Sequence, residues 1–259
     1  VALVTGAARG IGADIARAFS GAGAAVMITD VLAEEGEKTA ASIREAGGKA
    51  AFLAHDVRDE AAWESAVAGT VAKFGGLDIL VNNAGIEETG VLAEFELDDF
   101  RRLFDINVTG LFLGTKHAMR AMRPDGAAGQ GGVILNLSSM AAVRSEPCFG
   151  PYGATKSAVD KLTKVAAVEA GKLGWGIRVN CLYPGIIATD MQSKLQQDLL
   201  DLGFYADAES LAADLLARTP LGRVGTVQDV TSAALYLCSD AASFITGAGI
   251  PVDGGMALT

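Results

Sequence analysis

The chain is poor in cysteine and histidine, and neither residue falls into a metal-binding or redox pattern. Cys148, Cys181 and Cys238 are three cysteines spread over 259 residues without CxxC spacing. An odd, dispersed set suits reduced, packed cysteines of a cytoplasmic protein and excludes a disulfide scaffold. His55 and His117 have no partners at metal-ligand spacing, so no metal is expected. The chain has no lysine- or arginine-rich block, and its 21 basic against 31 acidic residues leave a net charge of −10. That balance argues against nucleic-acid backbones and anionic membranes as partners. Residues 126–143 carry no charge, but four glycines, a glutamine, an asparagine and two serines rule out a membrane span there. No signal-peptide pattern, linker, repeat or low-complexity tract is visible.

What is present is a hydrophobic half and a regular alternation. With 50% hydrophobic residues, the chain can build one large α/β domain over 1–259. Val1–Thr5 and Ala24–Asp30 are short apolar runs of the buried parallel-strand type. Further strands are predicted at Ala50–Ala54, Leu77–Asn82, Gly132–Ser138, Ile177–Leu182 and Gly249–Val252. Helices are predicted at Ala13–Phe19, Ala33–Ala46, Glu60–Phe74, Leu97–Met122, Gly153–Leu173 and Val227–Cys238. Such alternation predicts an α/β fold of Rossmann type: a doubly wound, mostly parallel seven-stranded sheet with helices on both faces. Ligands of such sheets bind at the carboxyl ends of the strands, where the strand order reverses.

Chemistry-bearing residues gather at those ends. The first strand runs into Gly6-Ala-Ala-Arg-Gly10-Ile-Gly12 and then a helix. In that context Gly6 permits a sharp turn, Gly10 admits a pyrophosphate close to the backbone, and Gly12 packs the helix on the sheet. The helix N-terminus then meets the phosphates with free N–H groups. The spacing is a variant of GxGxxG, longer by a residue or two. Asp30 ends the second strand, where a carboxylate accepts hydrogen bonds from ribose hydroxyls and disfavours the extra phosphate of NADP. Arg9 pulls the other way, since a basic side chain within the turn can reach that phosphate. NAD is the expected cofactor, with NADP less favoured. Asp56-Val57 follows the third strand, where it either meets the adenine ring or caps the next helix. The small residues of Asn82-Asn-Ala-Gly85 let a cofactor cross the backbone, and an asparagine there can tie neighbouring strands. Ser138-Ser139 ends the fifth strand, where a hydroxyl can steady a substrate carbonyl oxygen.

Tyr152-Gly-Ala-Thr-Lys156 puts a phenol and an ammonium on one helix face. A free tyrosine titrates near ~10 and is no base at neutral pH. Lowering it by about 2–3 units takes roughly 3–4 kcal/mol. One cation about 5 Å away, at an effective dielectric of ~20, supplies on the order of 3 kcal/mol.

Taken together, Thr5-Gly-Ala-Ala-Arg-Gly-Ile-Gly12, Asp56-Val57, Asn82-Asn-Ala-Gly85, Asn107, Ser139, Tyr152-Gly-Ala-Thr-Lys156, Pro184-Gly185 with Thr189, and Asp253-Gly-Gly255 resemble the short-chain dehydrogenase/reductase family over the full length. The resemblance implies a catalytic tetrad of Asn107, Ser139, Tyr152 and Lys156 acting on an alcohol or ketone. Tyr152 would be the acid/base, and Ser139 would orient the substrate oxygen. Lys156 would depress the tyrosine pKa and hold ribose hydroxyls, while Asn107 would hold a water for proton relay. It also implies cofactor contacts from Gly6, Arg9, Gly10, Ile11, Gly12, Asp30, Val31, Asp56, Val57, Asn83, Ala84, Gly85, Tyr152, Lys156, Pro184, Gly185, Ile187 and Thr189.

The segment 190–218 corresponds to a mobile lid in this family. Its Met191, Leu195, Leu199, Leu200, Leu202, Phe204 and Tyr205 either line a pocket for an apolar cyclic, aromatic or steroid-like substrate or pack on the body. The leading reading is an NAD-dependent secondary-alcohol dehydrogenase. An NADPH-dependent 3-oxoacyl-(carrier protein) reductase is the alternative within the family, and a non-catalytic cofactor-sensing protein the alternative outside it. Phe112, Met119, Val165 and Val168 are surplus apolar residues on two long helices. The resemblance implies that these helices pair in a homodimer or homotetramer.

Overall fold

The computed structural model describes residues Val1–Thr259. Strands β1 (Ala2–Thr5), β2 (Ala25–Asp30), β3 (Lys49–Ala54), β4 (Ile79–Asn82), β5 (Gly132–Leu137), β6 (Ile177–Pro184) and β7 (Gly249–Val252) form one sheet. Their order is β3-β2-β1-β4-β5-β6-β7, and every pair is parallel. The order reverses between β1 and β4, which opens a crevice at their carboxyl ends.

Side chains alternate across the sheet, as the two-residue strand period requires. Ala2, Val4, Val26 and Ile28 face one side, where α1 (Gly10–Gly21), α2 (Ala33–Glu45) and α9 (Val227–Cys238) cover them through Ile15, Phe19, Ile43, Val230 and Leu237. Leu3, Met27, Leu80, Ile134 and Val179 face the other, under α3 (Glu60–Phe74), α5 (Gly110–Met122) and α6 (Gly150–Lys172). Trp63, fully buried on α3, anchors that second layer through a hydrogen bond from Nε1 to the Val57 carbonyl at 2.9 Å. Burial on both faces explains why these strands read as continuous apolar runs.

Several local expectations shift. The single helix predicted over Leu97–Met122 is α4 (Leu97–Phe104) joined to α5 by a five-residue π-turn, Asp105–Thr109. The wider turn brings Asn107 inward, where it is 2% exposed. Helix α6 begins at Gly150 rather than Gly153, so Tyr152 lies in its first turn beside Pro151, whose lack of an N–H costs nothing there. Asp59, not Asp56, caps α3 by accepting from the Ala61 and Ala62 N–H groups. Between β6 and β7, α7 (Asp190–Asp201) and α8 (Ala208–Ala217) stand beyond the strand ends. No helix is long and apolar enough to cross a membrane.

Candidate active site

The crevice after β1 is built by mutual tying of loops. Asn83 donates from Nδ2 to the Thr5 and Gly6 carbonyls at 2.9 Å each, and its N–H donates to Thr5 Oγ1 at 3.1 Å. Asn82 joins strands, donating to Asn136 Oδ1 at 2.9 Å. The glycine turn fits tightly against these residues. A Cβ on Gly6 (φ +61°) would lie 2.7 Å from Ala84 Cα, and one on Gly12 would lie 2.4 Å from Asn83 Nδ2. Gly10 also has positive φ, +59°, but nothing lies within 4 Å of the place its Cβ would take. Helix α1 starts there without any side-chain cap. An uncapped N-terminus with open space in front of a glycine suits a diphosphate group, so the turn fits a dinucleotide.

Asp30 stands beside this turn, half-buried. Its carboxylate accepts the Ala8 and Leu32 N–H groups at 3.0 Å each. Arg9 points elsewhere, with Nη1 3.4 Å from Asp190 Oδ2 on α7. Val31 is exposed beside Asp30. Asp56 is held by the Arg58 guanidinium, which keeps its carboxyl below the usual carboxylate range against the opposing effect of burial. Val57 is buried in the core under Gly110. Neither Asp56 nor Val57 lines the cavity described next.

That cavity, about 500 Å³, opens at the carboxyl ends of β4, β5 and β6. The volume is typical of small-molecule sites. Ile11, Asn83, Gly85, Ser139, Tyr152, Lys156, Pro184, Gly185, Ile187 and Thr189 line it. Gly6, Arg9, Gly10, Gly12, Ala84 and Asn107 are not part of its lining. Ser138 and Ser139 divide their work. Ser138 Oγ donates to the Lys156 carbonyl at 2.9 Å, while Ser139 faces the cavity and its Oγ accepts the Ala141 N–H at 3.1 Å.

Tyr152 and Lys156 meet as the helical spacing requires, with Nζ 5.6 Å from the centre of the phenol ring. Lys156 Nζ donates to the Leu137 carbonyl at 2.9 Å. The electrostatics differ from the expectation of a phenol brought down by its lysine. Within the chain itself, burial pushes the Tyr152 hydroxyl well above its ordinary value, the Glu87 carboxyl adds to that, and the Ser139 hydroxyl only partly opposes it. Burial also pulls Lys156 down to about 8, with Glu87 opposing. Desolvation penalises the charged form of both groups and is the largest cause for each.

Asn107 holds the loop after β4 at both backbone polar groups of one residue. Its Oδ1 accepts the Ile86 N–H and its Nδ2 donates to the Ile86 carbonyl, each at 2.9 Å. Nδ2 also donates to Thr155 Oγ1 at 3.1 Å, which links the π-turn to α6 between Tyr152 and Lys156. Thr189 caps α7, accepting the Gln192 N–H at 3.3 Å.

Helices α7 and α8 form one wall of the cavity. Leu195 and Leu199 bury themselves with Leu211 and Cys148, and Met191, Phe204 and Tyr205 also face the cavity. Leu202 is 41% exposed and takes no part. Packing and pocket-lining thus coexist in one segment. Arg218 binds it to the body, pairing with Asp214 at 2.8 Å and with Glu146 at 2.5 Å, while Arg144 holds Glu146 from the far side at 2.8 Å. Two acids and two bases leave this end of the cavity electrically neutral. The sequence pattern does not point to Glu87, Arg144, Glu146 or Arg218 as site residues. Only Glu87 carries a local signal: it is an acid two residues beyond Gly85, in the loop that follows β4.

Comparisons with known proteins agree with this architecture. A family model described as enoyl-(acyl carrier protein) reductase matches residues 6–257. The 3-alpha-(or 20-beta)-hydroxysteroid dehydrogenase of Mycobacterium tuberculosis is 39% identical over 255 residues, covering 98% of this chain and 88% of the relative. The chain belongs to the short-chain dehydrogenase/reductase family. Trans-4-hydroxycyclohexanecarboxylate dehydrogenase of Sinomonas cyclohexanicum is also 39% identical, with 98% and 92% covered. Among solved structures, a 7 alpha-hydroxysteroid dehydrogenase complexed with NADH and 7-oxo glycochenodeoxycholic acid matches at TM-score 0.88 and 33% identity, covering 98% of this chain and 92% of that one. A short-chain type dehydrogenase/reductase from Mycobacterium ulcerans matches at TM-score 0.89 and 37% identity, with 99% and 89% covered.

Proposed function

We propose that this dehydrogenase interconverts a cyclic secondary alcohol and its ketone, with NAD(H) as cofactor. The observation that carries the reading is Tyr152 and Ser139 facing one largely apolar cavity with Lys156, beside a glycine turn shaped for a dinucleotide. The names of the hydroxysteroid and hydroxycyclohexanecarboxylate relatives support a cyclic substrate.

Gly6, Gly10 and the α1 N-terminus would receive the diphosphate, Asp30 the adenosine ribose, and Lys156 the ribose at the reacting end. When bound, the nicotinamide supplies or accepts the hydride. Ser139 holds the substrate oxygen by its hydroxyl. Tyr152 removes the hydroxyl proton during oxidation and returns it during reduction. Lys156 places a positive charge beside the phenolate. Asn107 positions the loop after β4 and supports a proton path from Lys156 towards solvent. The segment 190–218 acts as the lid, and its apolar face excludes water from the reacting oxygen.

Asp30 supports NAD over NADP, because a carboxylate there repels a ribose phosphate, and Arg9 is turned towards Asp190. Initial rates on a panel of cyclic alcohols, with NAD and with NADP, test the reading. Rates with NAD should exceed those with NADP at equal concentration, and Asp30→Ala should shift the ratio towards NADP by roughly 10-fold. Faster reduction of a 3-oxoacyl thioester with NADPH than of any cyclic ketone with NADH would favour the carrier-protein alternative.

The cofactor and the unpaired cysteines support a cytoplasmic protein. A homo-oligomer is proposed as well, because Phe112 on α5 and Val165 and Val168 on α6 are 48%, 41% and 57% exposed. Met119, by contrast, is buried within the chain and contributes nothing to such an interface. Light scattering should show a dimer or tetramer, and a stable monomer at micromolar concentration would reject this.

A further inference from the structure

The mechanism above leaves Glu87 without a task, although it lines the same cavity as Tyr152 and Lys156. Its Oε1 is buried without a hydrogen-bond partner. The neighbouring bases are engaged elsewhere. Lys156 donates to the Leu137 carbonyl, and Lys194 on α7 pairs with Asp198 at 3.0 Å and Glu88 at 3.4 Å. Burying an unpaired carboxyl is costly; Oε1 is closed off within the wall, but Oε2 is neither closed off nor hydrogen-bonded, so the carboxyl edge on the cavity is free to meet a ligand group.

The position of Glu87 is fixed by its neighbours. Ile86 is clamped at both its N–H and its carbonyl by Asn107. A Cβ on Gly85 would lie 3.4 Å from Lys156 Nζ. Two residues of chain span at most about 7 Å, so Glu87 stays close to the reacting end of the cavity. Its charge reaches both members of the Tyr152–Lys156 pair. Burial pushes its carboxyl up to about 7, with Lys156 and Lys194 pulling it down and Asp198 and Glu88 pushing it up.

We propose that Glu87 is a specificity-determining residue whose carboxyl binds a second hydroxyl group of the substrate, close to the carbon that reacts. The proposal rests on the dehydrogenase reading and narrows its substrate class to cyclic diols and hydroxyketones. A hydroxyl suits the site in either protonation state, since it donates to a carboxylate and accepts from a carboxylic acid. A purely apolar substrate leaves the cavity-facing oxygen of the carboxyl unpaired, and an anionic group there is repelled once Glu87 ionises.

Cyclohexanol and the cyclohexane-1,2- and 1,3-diols test this with wild type, Glu87→Gln and Glu87→Leu. The readouts are kcat/KM and the calorimetric affinity of each alcohol for the enzyme. Wild type should prefer at least one diol over cyclohexanol by about 10-fold, the range of one hydrogen bond to a charged group. Glu87→Leu should remove that preference, and the near-isosteric Glu87→Gln should keep part of it, because an amide also pairs with a hydroxyl. A diol-to-cyclohexanol ratio that is the same in all three proteins, in turnover and in binding, overturns the proposal. Diol binding that depends on Glu87 in a protein that oxidises no alcohol would instead overturn the dehydrogenase reading and leave this assignment standing.

Discussion

Replacing Tyr152 with phenylalanine is expected to lower kcat by about 10³-fold, in the range set by removing a general acid/base. Cofactor affinity should stay within a few-fold of wild type. The ring is 7% exposed and sits edge-on to Phe149 with centroids 6.2 Å apart, so phenylalanine keeps the packing and loses only the hydroxyl. Steady-state rates with a cyclic alcohol, combined with a fluorescence titration of NADH, separate the two effects. Activity within a few-fold of wild type would remove Tyr152 from its role. A matched loss of NADH binding would mean that the side chain serves the cofactor site rather than the proton.

Lys156→Ala is the second large effect, and it reads out in pH. Oxidation needs the phenolate, so kcat/KM should rise with pH through the apparent pKa of the Tyr152–Lys156 pair. Burial and Glu87 raise Tyr152, so every nearby positive charge matters in the working complex. An ammonium about 5 Å from a phenolate contributes on the order of 3 kcal/mol at an effective dielectric of ~20, or about 2 pH units, wherever Lys156, pulled down to about 8 by burial, carries its proton. Alanine should therefore move the oxidation profile to higher pH by about 1–2 units and weaken cofactor binding as well. Ketone reduction needs the neutral phenol and should remain favoured towards low pH. Lys156→Arg should restore charge but not full activity, because a planar fork cannot replace a compact ammonium that donates to the Leu137 carbonyl. An unchanged apparent pKa with weakened cofactor binding would leave lysine as a ribose ligand only.

Much of this site is legible in the sequence because strand ends are. Gly6, Asp30, Asn83, Ser139 and Pro184 follow apolar runs, and a parallel sheet sends all such ends to one edge. The Tyr152–Lys156 pair is legible for a similar reason, since four residues along a helix return to one face. What escapes is set by long-range packing. The π-turn at Asp105–Thr109 inserts one residue into an otherwise helical pattern, and the period alone does not register it. The environment of Glu87 depends on Lys194 and Asp198, more than a hundred residues away on α7. The raised Tyr152 follows from burial, which local spacing does not report. Asp56 stands as a cap in the sequence reading, but α3 starts at Glu60, so Asp59 directly before it accepts the first N–H groups instead.

The route of the transferred hydrogen is open to direct labelling. A cyclic alcohol deuterated at its carbinol carbon is incubated with the enzyme and NAD, and the products are read by NMR. One ketone per reduced cofactor is expected, with deuterium on the nicotinamide ring and none in water, because Tyr152 handles only the hydroxyl proton. Deuterium released to water, or ketone formed without labelled NADH, would contradict that route.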